Sequence, residues 1–471
     1  MYPEAVNTTR RQALSALAAP FVARSAAAGK KPDILFIAID DLNDWVGCLG
    51  GNKQAKTPNL DRLAAKGTLF TSAHCAAPLC NPSRAALMTG TRPNTTGVYT
   101  NSQPFRGSRV GKNLVTLGQH LRANGYLSLG AGKIFHNGGV GPFGDKDTWD
   151  DYTPAAPAPT PKKMPAAGAA AQGHFDWAPL DVSDEEMSDT KTAAWAAKHL
   201  NAKQDKPLFL ATGIFRPHLP WYVPKKYFDL YPLDSIELPI VKEDDLDDVP
   251  PIAKQFAKPN GDHKRVTDAG AWKKGVQAYL ASISYCDMVV GRVLRSLETS
   301  HRANDTMVVL WSDHGWHLGE KLHWRKFTLW EESTRNVLMW SMPGMTKAGS
   351  RCDRTVSLID IYPTLCDLAG TAKPAQLEGQ TLVPQLKNAA APRREPAITT
   401  YFKGNHSVRT EAWRYTRYVD GGEELYDRKK DPMEWTNLAK KPEFAKTKTE
   451  LAAWLPKHDE PDAPSIQGGG E

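Results

Sequence analysis

The sequence has no Cys-x-x-Cys pair, no run of more than three consecutive basic residues, no internal repeat and no apolar run long enough to cross a bilayer. Six cysteines, at 48, 75, 80, 286, 352 and 366, are too few to staple 471 residues, and their spacing argues against a thiolate zinc site. Cys352 and Cys366 could pair or could remain two buried thiols. The net charge of +7 is spread along the chain, so it is compatible with an anionic substrate but not with a nucleic-acid stripe. With 41% hydrophobic and 24% charged residues, the chain is neither disordered nor membrane-embedded by composition. The mature protein is expected to be soluble, with no stable membrane insertion.

What is present begins at the N-terminus. Arg10-Arg11 precede a mild apolar run over 13–22 and small residues over 25–29. Paired arginines, a short apolar segment and a small-residue cleavage region make residues 1–29 a twin-arginine export signal, with a frayed tail as the alternative. The expected location is periplasmic or secreted, and the export machinery is an expected partner.

From residue 30 to 392, apolar runs alternate with helix-like segments, the pattern of an α/β domain with a large, mostly parallel sheet flanked by helices. Residues 33–39 read as a strand buried on both faces. Residues 57–64 read as a helix with Pro58 at its first position. Further strands are expected at 126–130, 208–213, 307–312 and 337–341, and helices at 114–124, 184–200, 273–299 and 359–369. Two excursions, 152–173 and 243–264, read as irregular and are candidates to wall a pocket. Residues 393–471 change texture: short strands at 398–401, 406–409, 415–419 and 424–426 predict a small antiparallel sheet with a terminal helix over 442–455, a smaller α+β subdomain.

Ligands of open α/β sheets bind at the carboxyl ends of the strands. The first strand ends in Asp40-Asp41, and the strand from Met307 ends in Asp313-His314. The 126 strand leads to Lys133 and His136, and the 208 strand leads to Arg216-Pro217-His218. A lone aspartate usually caps a helix. Three at two strand ends are costly without a cation, which points to a hard, oxygen-liganded metal. Lys133, His136, His218 and Lys326 add positive charge and proton-transfer groups suited to an anionic ester.

These residues, with Cys80-Asn81-Pro82-Ser83-Arg84 and the following Leu87-Met88-Thr89-Gly90, resemble the formylglycine-dependent sulfatases of the alkaline phosphatase superfamily. Asp40-Asp41-Leu42, Gly132-Lys133-Ile134-Phe135-His136, Pro217-His218-Leu219-Pro220 and Ser312-Asp313-His314-Gly315-Trp316 are most similar to the iduronate-2-sulfatase branch. The resemblance implies an alkaline-phosphatase-like fold and a formylglycine-generating maturation enzyme that converts Cys80 into Cα-formylglycine. The hydrate of that aldehyde would attack sulfur and then expel sulfate as the aldehyde reforms.

It further implies one Ca²⁺ per chain held by Asp40, Asp41, Asp313, His314 and modified Cys80. Arg84 and Lys133 would hold the diol and the metal site. His136 would be the base, His218 the acid for the leaving alcohol, and Lys326 a ligand for the sulfate oxygens. The branch resemblance directs attention to a sulfated mono- or oligosaccharide, with uronic acid 2-O-sulfate as the specific candidate. Arg106, Arg109, Trp221 and His406 are candidates for either substrate contact or a structural role. Pro82 in a first helical turn places Cys80 at a helix N-terminus, whose dipole favours anions. A phosphomonoester, phosphodiester or phosphonate hydrolase, an inactive glycan-binding homologue and a Cys–His hydrolase remain the alternatives at this point.

Overall fold

The computed structural model of the protein describes residues 31–467. The proposed export segment, residues 1–29 with Arg10 and Arg11, lies outside the described residues. Among the described residues, no helix is long and apolar enough to cross a membrane.

Asp33–Ile39 is the central strand, and every one of its residues is buried. Successive side chains of a strand point to opposite faces. Leu35, Ile37 and Ile39 therefore enter one core with residues of the helices Ser188–Asn201 and Trp272–Glu298. Ile34, Phe36 and Ala38 enter the other, with residues of Cys80–Thr89 and Ile361–Leu368. A sheet covered on both faces explains why this strand reads as a continuous apolar run rather than an alternating one.

The main sheet runs Ser350–Cys352, Thr68–His74, Arg335–Ser341, Thr306–Ser312, Asp33–Ile39, Leu208–Ile214, Leu127–Gly132, Asp151–Thr153. A ninth strand, Val356–Ser357, pairs with Thr68–His74. The sheet is mostly parallel, as expected. Arg335–Ser341 alone runs antiparallel, to both of its neighbours. The expected helices and strands occur with ends shifted by a few residues, and Pro58 does open its helix, Pro58–Lys66. Thr68–His74, by contrast, carries no strand signal that survives its polar Thr71, Ser72 and His74; it is fixed by pairing with three other strands.

The excursion 243–264 is a correction. It contains the helices Pro251–Ala257 and, from its end onward, Asp262–Asp268. Pro251 occupies the first helical turn, where a missing N–H costs nothing, so the Pro250-Pro251 pair starts a helix rather than breaking one. The 152–173 excursion is mainly irregular, with its first two residues in the short edge strand Asp151–Thr153 and one turn of 3₁₀ helix at Gly168–Ala170.

The four-stranded antiparallel sheet is present as Ala397–Thr400, His406–Arg409, Trp413–Arg417 and Glu423–Asp427, followed by the helix Ala445–Ala452. Three arginines from it and its flank, Arg409, Arg414 and Arg428, are buried against Glu331 and Glu434. Cys352 and Cys366 are separate buried thiols.

Candidate active site

Three neighbouring parallel strands end together. Ile39 pairs with Ile214 on one side and Ser312 on the other, so Asp40-Asp41, the 215–218 turn and Asp313-His314 leave the sheet at one level. Asp41 adopts a left-handed backbone (φ 58°), and its N–H donates to Asp313 Oδ1 at 3.1 Å. Tyr279, from the long helix Trp272–Glu298, donates its hydroxyl to the Asp41 carbonyl at 2.7 Å and accepts from Asn43 N. A non-glycine residue in this region is strained, and here the bonds on both sides of it hold it in place.

Cys80 opens the helix Cys80–Thr89, all of whose residues are buried, and Pro82 sits in its first turn as the sequence predicts. Asn81 ties that start to the neighbouring loop: its N–H donates to Asn101 Oδ1 at 2.9 Å, and its side-chain amide donates to the carbonyls of Thr100 and Gln103. Ser83 donates to the Asp313 carbonyl at 2.5 Å. Asn81 and Ser83 are therefore both structural clamps.

The charged side chains form one network. Arg84 donates through Nε to Asp313 Oδ2 at 2.8 Å and through Nη2 to Asp40 Oδ1 at 2.9 Å. Its other terminal nitrogen holds the carbonyls of Lys133 and Ile134. Lys133 Nζ lies 2.5 Å from Asp40 Oδ2 and 3.8 Å from Cys80 Sγ. Lys326 Nζ lies 2.9 Å from Asp41 Oδ1 and 3.0 Å from Cys80 Sγ. His314 Nε2 is 3.5 Å from Cys80 Sγ, 3.3 Å from Asp41 Oδ1 and 3.5 Å from Asp313 Oδ2, while its Nδ1 faces the Gly315 carbonyl. His218 Nε2 stands 4.0 and 3.8 Å from Asp40 Oδ2 and Asp41 Oδ2. Its Nδ1 is 2.5 Å from the Leu219 carbonyl, which makes Nδ1 the protonated nitrogen and leaves Nε2 facing the carboxylates.

Burial raises the Asp40 carboxyl, yet Lys133, Arg84 and His218 outweigh it and hold the group well below the usual range. Asp41 goes the other way: burial pushes it up, and His218 and Lys326 only partly offset this. The Asp41 Oδ2 atom is buried and makes no hydrogen bond. Burial and Asp40 push the Cys80 thiol up to about 11 despite Lys133 and Lys326. Burial lowers the His218 imidazolium, but Asp41 and Asp40 reverse this and raise it to about 10.

The ligand-type atoms of Asp40, Asp41, Cys80 and His218 lie within 4.8 Å of one another, as do those of Asp41, Cys80, Asp313 and His314. His136 is buried three residues past Lys133, with its ring edge-on to Phe143 at 5.2 Å. The four further candidates have structural partners. Arg106 bonds Asp145 at 2.6 Å and the Leu114 carbonyl; Arg109 forks onto Glu460 at 2.6 and 2.8 Å. Trp221 is buried among Trp177, Phe175, Tyr279, Trp316 and Trp324. His406 bonds Thr400 at 2.9 Å and Asp459 at 3.2 Å.

Asp189 escapes sequence reasoning. In the first turn of Ser188–Asn201 it reads as an ordinary helix-start acid. In the fold, its two oxygens accept from the N–H groups of Phe215 and Arg216 at 2.8 and 2.9 Å, fixing the turn that presents His218.

Residues 32–371 match the family model described as Sulfatase, and residues 319–460 match the one described as N-sulphoglucosamine sulphohydrolase, C-terminal. A sulfatase of Formosa agariphila is 41% identical over 450 residues, 91% of this chain and 87% of its own. The iduronate 2-sulfatase of Mus musculus is 31% identical over 392 residues, covering 73% of this chain and 69% of its own. The structure of a 2-O GAG sulfatase superposes with a TM-score of 0.71 at 24% identity, covering 94% of this chain and 99% of the other, a likeness of fold.

Proposed function

The chain belongs to the sulfatase family and is a sulfuric ester hydrolase, and from that premise we propose that it is an exported, calcium-dependent enzyme that removes sulfate from a sulfated carbohydrate. The specific bond proposed is a uronic acid 2-O-sulfate, cleaved through formylglycine formed from Cys80. The observation that carries the reading is Cys80 at a buried helix start, 3.0 and 3.8 Å from two lysines and beside three converging aspartates. The similarity to an iduronate 2-sulfatase supports the sugar.

The donor set fits a hard cation. Asp40, Asp41 and Asp313 supply oxygens, His314 turns Nε2 toward two of them, and Asp41 Oδ2 is buried with no hydrogen bond. Those four residues and modified Cys80 would hold Ca²⁺, which supplies charge neutralisation and polarisation of an ester oxygen. The Cys80 sulfur stands in for the oxygen that formylglycine carries on the same carbon. The hydrated aldehyde would supply the nucleophilic oxygen at position 80.

The chain's own residues do the rest. Lys133 and Lys326 neutralise the sulfate and orient it against position 80. The helix start adds its positive dipole end. His218, held through Nδ1 by the Leu219 carbonyl, turns Nε2 toward the site and is placed to give a proton from it to the leaving alcohol. His136 is proposed as the base that takes the proton when the aldehyde reforms.

Cys80 is fully buried, so a maturation enzyme must meet the chain before it folds. Twin-arginine export, which carries folded protein, would then follow. The test is a panel of defined sulfated mono- and oligosaccharides, with paired 4-nitrophenyl sulfate and phosphate, given to fully matured enzyme. Sulfate release from uronate 2-O-sulfates is expected. Faster phosphate than sulfate hydrolysis overturns the reaction class, and no release from any 2-O-sulfate overturns the sugar.

A further inference from the structure

Lys326 begins a line of aromatic rings that leads out of the site. Phe327, the next residue, has a left-handed backbone (φ 81°), and its N–H donates to the carbonyl of Pro78, two residues before Cys80. The Phe327 ring lies 6.4 Å from Tyr401, and Tyr401 lies 4.5 Å from Phe402. Phe256, on the helix Pro251–Ala257, backs both at 4.7 and 6.0 Å. Tyr401 is 6% exposed, whereas Phe402 is 40% exposed.

Phe402 is also held at φ 52°, a region costly for a bulky side chain. Asn405 braces the turn: its side-chain amide donates to the Tyr401 carbonyl at 2.9 Å, and its Oδ1 accepts from Val419 N at 3.0 Å. Lys403, beside Phe402, is exposed and forms no ion pair among the described residues. A rigid turn thus presents a strained, exposed ring and a cation at the solvent end of an aromatic row whose inner end adjoins Lys326.

We propose that Phe402 and Lys403 form an outer subsite for an anionic pyranose, the sugar lying beyond the residue that loses its sulfate. The ring offers its face to the C–H face of a sugar, and the ammonium group offers a partner to a sulfate or carboxylate. Continuity with Lys326 and the sign of the charge select this occupant over an apolar one. The subsite rests on the reading of the centre as a glycan sulfatase, and it makes the enzyme prefer oligosaccharides to monosaccharides. It also gives the 243–264 excursion a role, since its helix supports the platform.

The test compares matured wild type, Phe402→Asn and Lys403→Ala on a uronate 2-O-sulfate monosaccharide and on a heparin-derived tetrasaccharide ending in the same residue. Asparagine removes the ring while suiting the left-handed backbone. The tetrasaccharide-to-monosaccharide ratio of kcat/KM is expected to fall about tenfold in Phe402→Asn and by a smaller factor in Lys403→Ala. An unchanged ratio in both, or a wild type that favours the monosaccharide, overturns the subsite and leaves the reaction class standing. If neither sugar releases sulfate, the substrate reading fails instead; tetrasaccharide binding by calorimetry then decides the subsite, supported if both variants bind more weakly and overturned if they bind equally well.

Discussion

Two buried charge clusters in this molecule look alike and do opposite work. One is the site around Cys80. The other joins the C-terminal sheet to the rest, with Glu331 and Glu434 among Arg409, Arg414 and Arg428. In the joint, every carboxylate oxygen is used. Glu331 Oε2 meets Arg409 and Arg414, and Glu331 Oε1 meets Arg409 and Arg428. Glu434 Oε1 meets Arg414 and Arg428, and Oε2 accepts from Glu331 N. Burial opposes ionisation of Glu331, but Arg409, Arg428, His74 and Arg414 outweigh it and hold the group well below the usual range. The site is equally dry and equally charged, yet Asp41 Oδ2 has no hydrogen bond and the Asp41 carboxyl is raised rather than lowered. Burial and strong shifts therefore do not separate function from structure. What differs is the carboxylates: each glutamate oxygen of the joint is engaged, whereas one oxygen of Asp41 is not.

The contrast can be broken most sharply by neutralising one acid in each cluster. Asp41→Asn should lower sulfate release by about 10³-fold while leaving the melting temperature of the calcium-free protein unchanged or higher, because a carboxylate that burial disfavours is removed. A stability loss comparable to that of a joint mutant would show that the two clusters do the same job. Arg414→Ala should do the reverse. It strips a partner from both glutamates and should cost about 3–5 kcal/mol in denaturant unfolding, with kcat per folded molecule retained.

A smaller effect is expected from Asp189→Asn, which loosens the turn carrying His218. The loss, about tenfold, should appear with alkyl sulfates and shrink with 4-nitrophenyl sulfate, whose leaving group needs little protonation. A merely destabilised enzyme would lose both activities equally.

The smallest effect concerns pH. Glu331 and Glu434 are lowered in the folded state, so the stability they add is fully present above the unfolded value near 4.5 and is lost as pH falls through the folded values. Melting temperatures should decline below about pH 4.5, and less steeply in Glu331→Gln than in wild type. Parallel declines would place the acid sensitivity elsewhere.

Much of the site was legible because its residues follow strands whose burial makes them conspicuous. Asp40-Asp41 and Asp313-His314 end apolar runs, and Cys80 to Arg84 form a motif of fixed spacing. The role of Lys326 as a sulfate ligand was legible only through family resemblance, since it lies in an irregular segment after the short strand Trp324–Arg325, and its approach to Cys80 is set by folding. Asp189 and Tyr279 were not legible at all. Each is one polar residue on an amphipathic helix, and nothing local distinguishes the one that meets a distant backbone. Trp221 and His406, which the sequence leaves open to a substrate or a structural role, are here buried in aromatic packing and hydrogen bonding.

The sequence by itself determined the parallel sheet, the helix start at Cys80 and the kinds of group at the strand ends, because apolar periodicity and proline placement act over a few residues. Only the tertiary structure decided which charges are spent on each other and which are left incomplete. That follows from the desolvation of groups up to 285 residues apart, as with Lys326 and Asp41, and no local pattern records such a balance.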